Sequence, residues 1–412
     1  CFNLIDRHVL SGRGENQALV FEGDRWDPSK NDGRGGPVFE QRLSYRELLV
    51  EVALRARVLK SLDLSAGDRI ALNLPNILEQ IFYILAAQRL GVIYTPVFGG
   101  FSAKTLSDRI HDAGAKVVIT ADGGYRNAEV VPYKSTYTDP ALDNYVPRPA
   151  ALQALSETLK SRLPADVAER LETQVTEAVA GEITLERADV MRELGLALER
   201  ERGTAPEIIA ELRTTVASEL AGVSHAVTDV IVVRYTGNDI VEHSRDRWSH
   251  NLVDEVEAAF LADAGVADRA SLDSLDDNAF WKAVGSSIPA VPVEANWPLF
   301  IIYTSGSTGK PKGVVHTHGG WLSGITHTMR TVFNANQDDC LYVIGDPGWI
   351  TGQSYLIAAP LAFGMSTVIA EGSPLFPHAG RFASIIERNQ VTLFKAGSTF
   401  LKAVMTDPAS AQ

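Results

Sequence analysis

The feature that most constrains the fold is a regular alternation of strand-like and helix-like segments between residues 43 and 120. Short apolar runs such as 68–74 (DRIALNL) predict strands, and the longer segment 77–90 predicts a helix. Helices placed between short runs rich in valine and isoleucine are typical of a parallel sheet that is covered on both faces. The pattern returns over residues 299–395. We therefore predict an α/β fold.

The composition divides the chain of 412 residues into three parts. Residues 1–140 carry the first α/β pattern, and residues 225–412 carry the second. Between them, residues 141–224 are rich in leucine, alanine, glutamate and arginine, with apolar positions at helical spacing. We expect two α/β subdomains separated by a helical insertion. The second subdomain is expected to continue beyond residue 412.

Charge and cysteine content exclude several classes of protein. Lysine and arginine number 38 against 51 aspartates and glutamates, and this net charge of −13 argues against a general binder of nucleic acid or anionic membranes. Cys1 and Cys340 cannot form a disulfide framework, which suits the reducing cytoplasm. No apolar run approaches the roughly 18 residues of a membrane span. We expect a cytoplasmic protein with small-molecule substrates, which meets anionic ligands at a local positive site.

The most specific motif is YTSGSTGKPKG, residues 303–313, directly after the apolar run 299–302. Its glycines let backbone N–H groups approach an anion, its hydroxyls add donors, and its lysines add charge. Glycine spacing and the proline after Lys310 distinguish it from a Walker A loop. The motif predicts a loop that binds the phosphates of ATP. The residues assigned to phosphate binding are Thr304, Ser305, Gly306, Ser307, Thr308, Gly309, Lys310 and Lys312, with Thr308 and Lys312 also assigned a catalytic role.

Three further segments, 98–102 (FGGFS), 118–124 (VITADGG) and 346–352 (DPGWITG), extend this pattern. Together with the loop, they resemble the AMP-forming acyl-CoA synthetases of the adenylate-forming superfamily, in the acetyl- and propionyl-CoA synthetase branch. The resemblance covers roughly residues 1–135 and 225–412. It implies the large N-terminal domain of that fold, with stacked α/β/α subdomains. It also implies that the adenine-binding segments and a mobile domain with the catalytic lysine follow residue 412, so that this chain alone is weak or inactive in adenylation.

The resemblance implies a two-step reaction with ATP, Mg²⁺ and coenzyme A. A carboxylate attacks the α-phosphorus of ATP to give acyl-AMP and pyrophosphate, and the CoA thiol then displaces AMP. The positions that match the small acyl pocket are Trp349, Ile350 and Thr351, where an indole beside β-branched side chains favours short acids. The positions that match the CoA site are Phe98, Gly99, Gly100, Arg126 and Thr351. No metal ligands are assigned, because no histidine, cysteine and carboxylate cluster has suitable spacing.

Some features depart from the acetyl branch and leave alternatives open. Glu129 and Leu375 stand where that branch has a second arginine and a CoA-contacting asparagine. The insertions near 140–224 and 255–285 are reminiscent of the ligase part of a multifunctional propionyl-CoA synthase, which is fused to further catalytic domains. Acetate, propionate and 3-hydroxypropionate therefore all stay open as substrates. The alternatives are an adenylating domain that loads a carrier-protein thiol, and a nucleotide-binding scaffold without turnover; the matched glycines and arginine favour free CoA.

Overall fold

The computed structural model describes residues 1–201, 205–223, 225–304 and 311–406. The α-helices are α1 (Asp6–His8), α2 (Tyr45–Ser61), α3 (Leu78–Leu90), α4 (Ala103–Ala113), α5 (Asp139–Asp143), α6 (Arg148–Arg162), α7 (Ala165–Ala178), α8 (Arg187–Arg200), α9 (Pro206–Gly222), α10 (Ser249–Ala264), α11 (Asp277–Ala283), α12 (His318–Thr331), α13 (Ala359–Phe363), α14 (Arg381–Arg388) and α15 (Ser398–Thr406). Shorter helical turns are Val9–Arg13, Lys134–Thr138, Ala270–Ser274 and Gly352–Ala358.

The strands fall into two larger sheets and three two-stranded ribbons. They are β1 (Gln17–Glu22), β2 (Trp26–Asp27), β3 (Gly36–Pro37), β4 (Glu40–Ser44), β5 (Arg69–Asn73), β6 (Ile93–Pro96), β7 (Val117–Ala121), β8 (Gly124–Arg126), β9 (Glu129–Val131), β10 (Tyr145–Pro147), β11 (Thr184–Glu186), β12 (Asp229–Val233), β13 (Asp246–Trp248), β14 (Pro298–Thr304), β15 (Lys312–Thr317), β16 (Cys340–Val343), β17 (Ser366–Ala370) and β18 (Leu393–Lys395). One sheet has seven strands in the order β13-β12-β7-β5-β6-β14-β15, and the other has five in the order β18-β16-β17-β1-β4.

Both larger sheets are parallel except at one edge. In the seven-stranded sheet only β15 runs antiparallel to its neighbour, and in the five-stranded sheet only β4 does. The central strands are buried on both faces, as a parallel sheet covered by helices requires. The main hydrophobic core contains residues of both sheets together with α2 and α3. The predicted α/β class is confirmed.

Two helices between the sheets show how local sequence specifies this core. Ser44 begins α2 with a capping box, because its hydroxyl accepts from the Glu47 N–H while the Glu47 carboxylate accepts from the Ser44 N–H. Apolar side chains lie on every side of helix α3, and 12 of its 13 residues are buried. A helix of that kind must be enclosed by other elements. It packs against α2 and β6.

Helices α6 to α9 form a separate hydrophobic core. Leu155, Leu171, Leu194 and Val216 contribute one buried side chain from each of the four helices. The first and third predicted parts of the chain, in contrast, share both larger sheets, since β1 and β4 join β16 to β18 and β12 to β15 join β5 to β7. Sheet membership therefore does not change at residues 140 and 225. The division into two α/β subdomains stays a prediction.

No helix in the described part of the chain is both long and apolar enough to cross a bilayer.

A buried ion pair ties the first helix to the core. The Arg89 guanidinium donates to both carboxylate oxygens of Asp6, at 2.8 and 2.9 Å, and to the carbonyls of Gly285 and Ile288. The Trp281 indole N–H donates to the same carboxylate. The side chains of Arg89 and Asp6 are 0% and 1% exposed. Every charge here is hydrogen-bonded, so removal of one partner leaves an uncompensated buried charge.

Replacement of Asp6 by alanine is therefore expected to lower the free energy of unfolding by about 3 to 5 kcal/mol. Urea unfolding followed by circular dichroism measures this loss. The matched control is Asp166→Ala, because Asp166 pairs with Arg170 on the surface, where side-chain exposures are 72% and 50%. The control is expected to cost less than about 1 kcal/mol. Equal losses from the two substitutions would contradict the structural role of the buried pair.

Candidate active site

A cavity of about 370 Å³ lies where the carboxyl ends of strands from both sheets meet. Its walls come from the loops after β5, β6 and β7 of one sheet and after β16 and β17 of the other. Ligands of parallel α/β folds bind at this end of the strands. The lining residues are Pro75, Asn76, Phe98, Gly99, Gly100, Gly124, Tyr125, Arg126, Val131, Tyr133, Tyr137, Tyr342, Val343, Ile344, Gly345, Asp346, Trp349, Ala370, Glu371, Gly372, Ser373 and Pro374.

The loop after β6 approaches its neighbours too closely for side chains larger than hydrogen. A Cβ on Gly99 would lie 2.1 Å from the Tyr133 hydroxyl oxygen, and one on Gly100 would lie 2.4 Å from the Phe98 ring. The loop after β16 approaches the same residues, because a Cβ on Gly348 would lie 2.6 Å from the Phe98 backbone. These glycines let the two loops meet at the cavity wall.

An aromatic cluster lies at the cavity, and two of its three rings, Phe98 and Trp349, line it. The Trp349 ring lies 5.9 Å from the Phe98 ring and 5.7 Å from the Phe101 ring, measured between centroids. Trp349 is 45% exposed, so its indole is a wall of the open site rather than a core side chain. Ile350 is 39% exposed and, like Thr351, does not line the cavity. Of the three predicted acyl-pocket residues, the cavity therefore contains Trp349.

Arg126 enters the cavity from a tight hairpin. Strands β8 and β9 pair with Arg126 opposite Glu129. The two turn residues, Asn127 and Ala128, have φ values of 55° and 63°. A two-residue turn with both φ values positive matches the natural twist of a hairpin, although alanine rarely adopts that conformation. The predicted CoA residues Phe98, Gly99, Gly100 and Arg126 thus line one cavity, whereas the fifth, Thr351, does not.

Two carboxylates of the cavity, Asp346 and Glu371, were not predicted as site residues, although Asp346 begins the motif 346–352. Asp346 accepts from the Gly348 N–H at 2.6 Å, and burial raises the pKa of its carboxyl to about 6. Burial also raises the pKa of Glu371 to about 6. Burial and the nearby Asp346 charge both raise the pKa of the Tyr133 phenol. Their positions after strands could have indicated them as site residues, because Glu371 directly follows β17 and Asp346 follows β16 by three residues.

Most of the predicted phosphate loop lies outside the described residues, namely Ser305, Gly306, Ser307, Thr308, Gly309 and Lys310. Thr304 and Lys312, which flank it, are partners across β14 and β15, and both are exposed. Neither lines the 370 Å³ cavity. The phosphate-binding and catalytic assignments therefore stay predictions.

The described residues contain one group that could geometrically hold a metal ion, which is Asp139, Asp143 and His243. Its carboxylates already have cationic partners. Lys134 Nζ lies 2.8 Å from Asp139, and the Arg245 guanidinium makes two hydrogen bonds of 2.7 and 2.9 Å to Asp143. A divalent cation would have to displace these buried or half-buried cations, and none of the three residues lines the cavity. This group therefore does not fit Mg²⁺.

Comparison with known proteins identifies the family. The family described as "AMP-binding enzyme" matches residues 18–412, and the chain belongs to that family. Similar proteins include an acetyl-coenzyme A synthetase of Xylella fastidiosa, 32% identical over 406 residues, and acetyl-coenzyme A synthetase 2 of Pseudomonas putida, 31% identical over 407 residues. Each alignment covers 98% of this chain and 45% of the relative, so the chain spans less than half of their length. The resemblance to adenylate-forming acyl-CoA synthetases is confirmed.

The raised pKa of Asp346 predicts a pH-dependent stability. A carboxyl with a higher pKa in the folded protein holds its proton more tightly when folded. The stability from this proton is complete below the ordinary pKa of 3.8 and is lost as the pH rises through about 6. Because asparagine mimics the neutral acid, Asp346→Asn is expected to be more stable than the parent at about pH 8, by about 1 to 2 kcal/mol.

Urea unfolding at about pH 8 and about pH 5 measures this difference, which should shrink at the lower pH. Asp338→Asn is the matched control, because Asp338 lies exposed on the turn before β16. The control is expected to show the same small effect at both pH values. An advantage for Asp346→Asn that is independent of pH would contradict the raised pKa.

Proposed function

We propose that the protein to which this chain belongs is an AMP-forming acyl-CoA synthetase for short-chain carboxylic acids. It forms acyl-AMP and pyrophosphate from the acid and ATP, and then acyl-CoA and AMP from acyl-AMP and CoA. The observation that carries the proposal is the cavity at the strand ends. That cavity combines the glycine loop after β6, the Arg126 hairpin and the Trp349 loop, which are far apart in the sequence.

The adenylation half of the proposal rests on the loop between β14 and β15. Pyrophosphate gains negative charge as it leaves the α-phosphorus, and Lys312 and Thr308 are the residues proposed to stabilise that charge. No covalent nucleophile on the protein is needed, because the substrate carboxylate is itself the nucleophile. Mg²⁺ is proposed to arrive with the ATP phosphates, since magnesium is commonly held by substrate phosphates and few protein ligands.

The second proposed step, in which acyl-CoA forms from acyl-AMP and CoA, rests on Arg126. It is the one basic side chain among the described residues that line the cavity. In a protein with a net charge of −13, an anionic thiol substrate needs such a local cation. A guanidinium suits a phosphate because its N–H groups match the phosphate oxygens in pairs. Gly99 and Gly100 would let the substrate chain pass close to the backbone.

The preference for short acids rests on the aromatic wall. Phe98, Phe101 and Trp349 lie with their ring centroids within 6 Å of one another, so a long alkyl chain would overlap the indole. Ile350 and Thr351 stay proposed members of the same pocket. Propionate or 3-hydroxypropionate as the acid and fusion to further catalytic domains are finer proposals. They rest on the helical segment after residue 140. The proposed location of the protein is the cytoplasm.

A carrier-protein thiol and a scaffold without turnover are the competing functions. The carrier-protein function predicts a cavity without affinity for free CoA, whereas the scaffold function predicts ligand binding without turnover. Binding of free CoA by this chain, measured by calorimetry, therefore argues against the carrier-protein alternative. A thiol donor that is accepted only on a carrier protein would favour the first alternative, and ligand binding without turnover in the protein at its natural length would favour the second.

The adenylate site is tested by Lys312→Ala and titration with a stable ester of AMP with an ethyl, propyl or 3-hydroxypropyl group. Loss of a charge-assisted hydrogen bond of roughly 1.5 to 3 kcal/mol is expected to weaken binding by about ten-fold or more. Lys282→Ala is the control, because Lys282 is an exposed lysine on α11. If Lys312→Ala binds all three esters as tightly as the control does, the phosphate-loop assignment is wrong.

The acid site is tested by Trp349→Ala in the protein at its natural length. Removal of the indole enlarges the pocket, so the kcat/KM for butyrate relative to acetate is expected to rise by at least about ten-fold, at roughly 1 to 3 kcal/mol for each accommodated methylene. Val332→Ala is the control, because Val332 is 73% exposed and does not line the cavity. An unchanged ratio of the two acids would contradict the assignment of Trp349 to the acyl pocket.

A further inference from the structure

Two buried carboxylates, Asp24 and Glu371, lie behind the hairpin that carries Arg126. Asp24 comes two residues after β1, and Glu371 comes directly after β17, so both lie in loops that follow strands of the five-stranded sheet. The hairpin of β8 and β9 follows β7, which belongs to the seven-stranded sheet. Asp24 and Glu371 are 0% and 1% exposed. Their contacts therefore join the two sheets next to the cavity.

Glu371 accepts one hydrogen bond from the hairpin backbone. The Tyr125 N–H donates to Glu371 Oε1 at 2.7 Å. Because Tyr125 pairs with Val130 at a position of the hairpin where the backbone groups point outward, this N–H has no partner within the hairpin itself. The other oxygen, Oε2, accepts from the Tyr235 hydroxyl at 2.6 Å and from the Asp24 N–H at 3.1 Å.

Asp24 accepts the second hydrogen bond from the hairpin. The N–H of Ala128, a turn residue with a φ of 63°, donates to Asp24 Oδ2 at 2.7 Å. Oδ1 faces the buried guanidinium of Arg381 at 3.4 Å. The loop after β17 also lies close to Asp24, because a Cβ on Gly372 would lie 1.8 Å from Asp24 Oδ1. Gly372, with a φ of 75°, therefore permits the two carboxylates to lie side by side.

Placing two carboxylates side by side in the interior is energetically unfavourable. Burial of a carboxylate is unfavourable, and two neighbouring carboxylates also repel each other. Arg381 offsets part of the cost at Asp24. Glu371 has hydrogen-bond donors but no cation at ion-pair distance among the described residues. The two carboxylates fix the positions of the Tyr125 and Ala128 amides. One of these amides precedes Arg126 in the chain, and the other follows it.

We propose that Asp24 and Glu371 are positioning residues for the thiol substrate: they hold the hairpin so that Arg126 presents its guanidinium to the cavity. The proposal rests on the proposed function for the identity of the ligand that Arg126 binds. Neither carboxylate is proposed to contact CoA. Their effect on CoA affinity is transmitted by the backbone of the hairpin, through the two amides that flank Arg126.

The first test is Glu371→Gln, which keeps the shape of the side chain and leaves one acceptor oxygen. The Tyr125 and Asp24 amides then compete for that oxygen, and the hairpin loses part of its support. Amide hydrogen exchange over residues 124–131, followed by mass spectrometry, is expected to speed up by at least about ten-fold. Affinity for CoA is expected to fall by about five- to ten-fold, with affinity for the propyl ester of AMP within two-fold of the parent.

Tyr235→Phe is the matched control for Glu371→Gln. It removes one hydrogen bond from the same carboxylate and leaves both hairpin amides with their acceptors. This control is expected to change neither the exchange of residues 124–131 nor the affinity for CoA. Asp24→Asn is a second variant of the proposed pair. It leaves one acceptor oxygen on the side chain and thereby weakens the support of the Ala128 N–H, which donates to Asp24 in the parent. Unchanged binding of the AMP ester shows that each variant is folded.

A double-mutant cycle with Arg126→Ala separates positioning from general damage. If Glu371 acts through Arg126, then Glu371→Gln has no further effect on CoA affinity when Arg126 is already absent. The same loss in both backgrounds would overturn the proposal, as would unchanged hydrogen exchange in Glu371→Gln. If the parent itself does not bind CoA, the proposed function fails, and the exchange of residues 124–131 in the variants still decides whether the carboxylates hold the hairpin.

Discussion

The direction of the parallel strands is the constraint on which the rest of the structure depends. Strands that lie side by side and run the same way must place all their carboxyl ends at one edge of a sheet. In this protein two such sheets share a core, and the loops after β5, β6, β7, β16 and β17 meet at one cavity. Segments more than 200 residues apart, such as Gly99 and Asp346, become neighbours for this reason.

Buried charges in this protein serve two different purposes. Arg89 and Asp6 are fully compensated, with every charged atom hydrogen-bonded, and they connect the first helix to α3 and the loop after α11. Glu371 and Asp346 line the cavity, and burial raises the pKa of both carboxyls. The Asp6–Arg89 pair stabilises the fold, whereas the proposed role of Glu371 is to hold the hairpin next to the cavity.

The electrostatics of the site are local rather than global. A net charge of −13 disfavours the approach of anionic ligands to most of the surface. Lys312 begins β15, after the segment that is proposed to bind phosphate, and Arg126 is the basic residue among the described residues that line the cavity. Arg126 lines the cavity and Lys312 does not, which agrees with the proposal that two phosphate-bearing substrates are held in different places.

The sequence by itself determined the α/β class, the helical segment with its own core, and the glycines of the loop after β6. Those properties depend on local periodicity and on close backbone contacts that only glycine permits. Its motifs also indicated Arg126 and Trp349. Tertiary structure alone decided that Asp346 and Glu371 belong to the same cavity, because their neighbours come from distant strands of another sheet. It also separated Trp349 from the two residues that follow it, since the chain enters the helical turn at Gly352 and leaves the cavity wall. Sequence proximity fixes neighbours along the chain, and strand direction fixes which loops share a site.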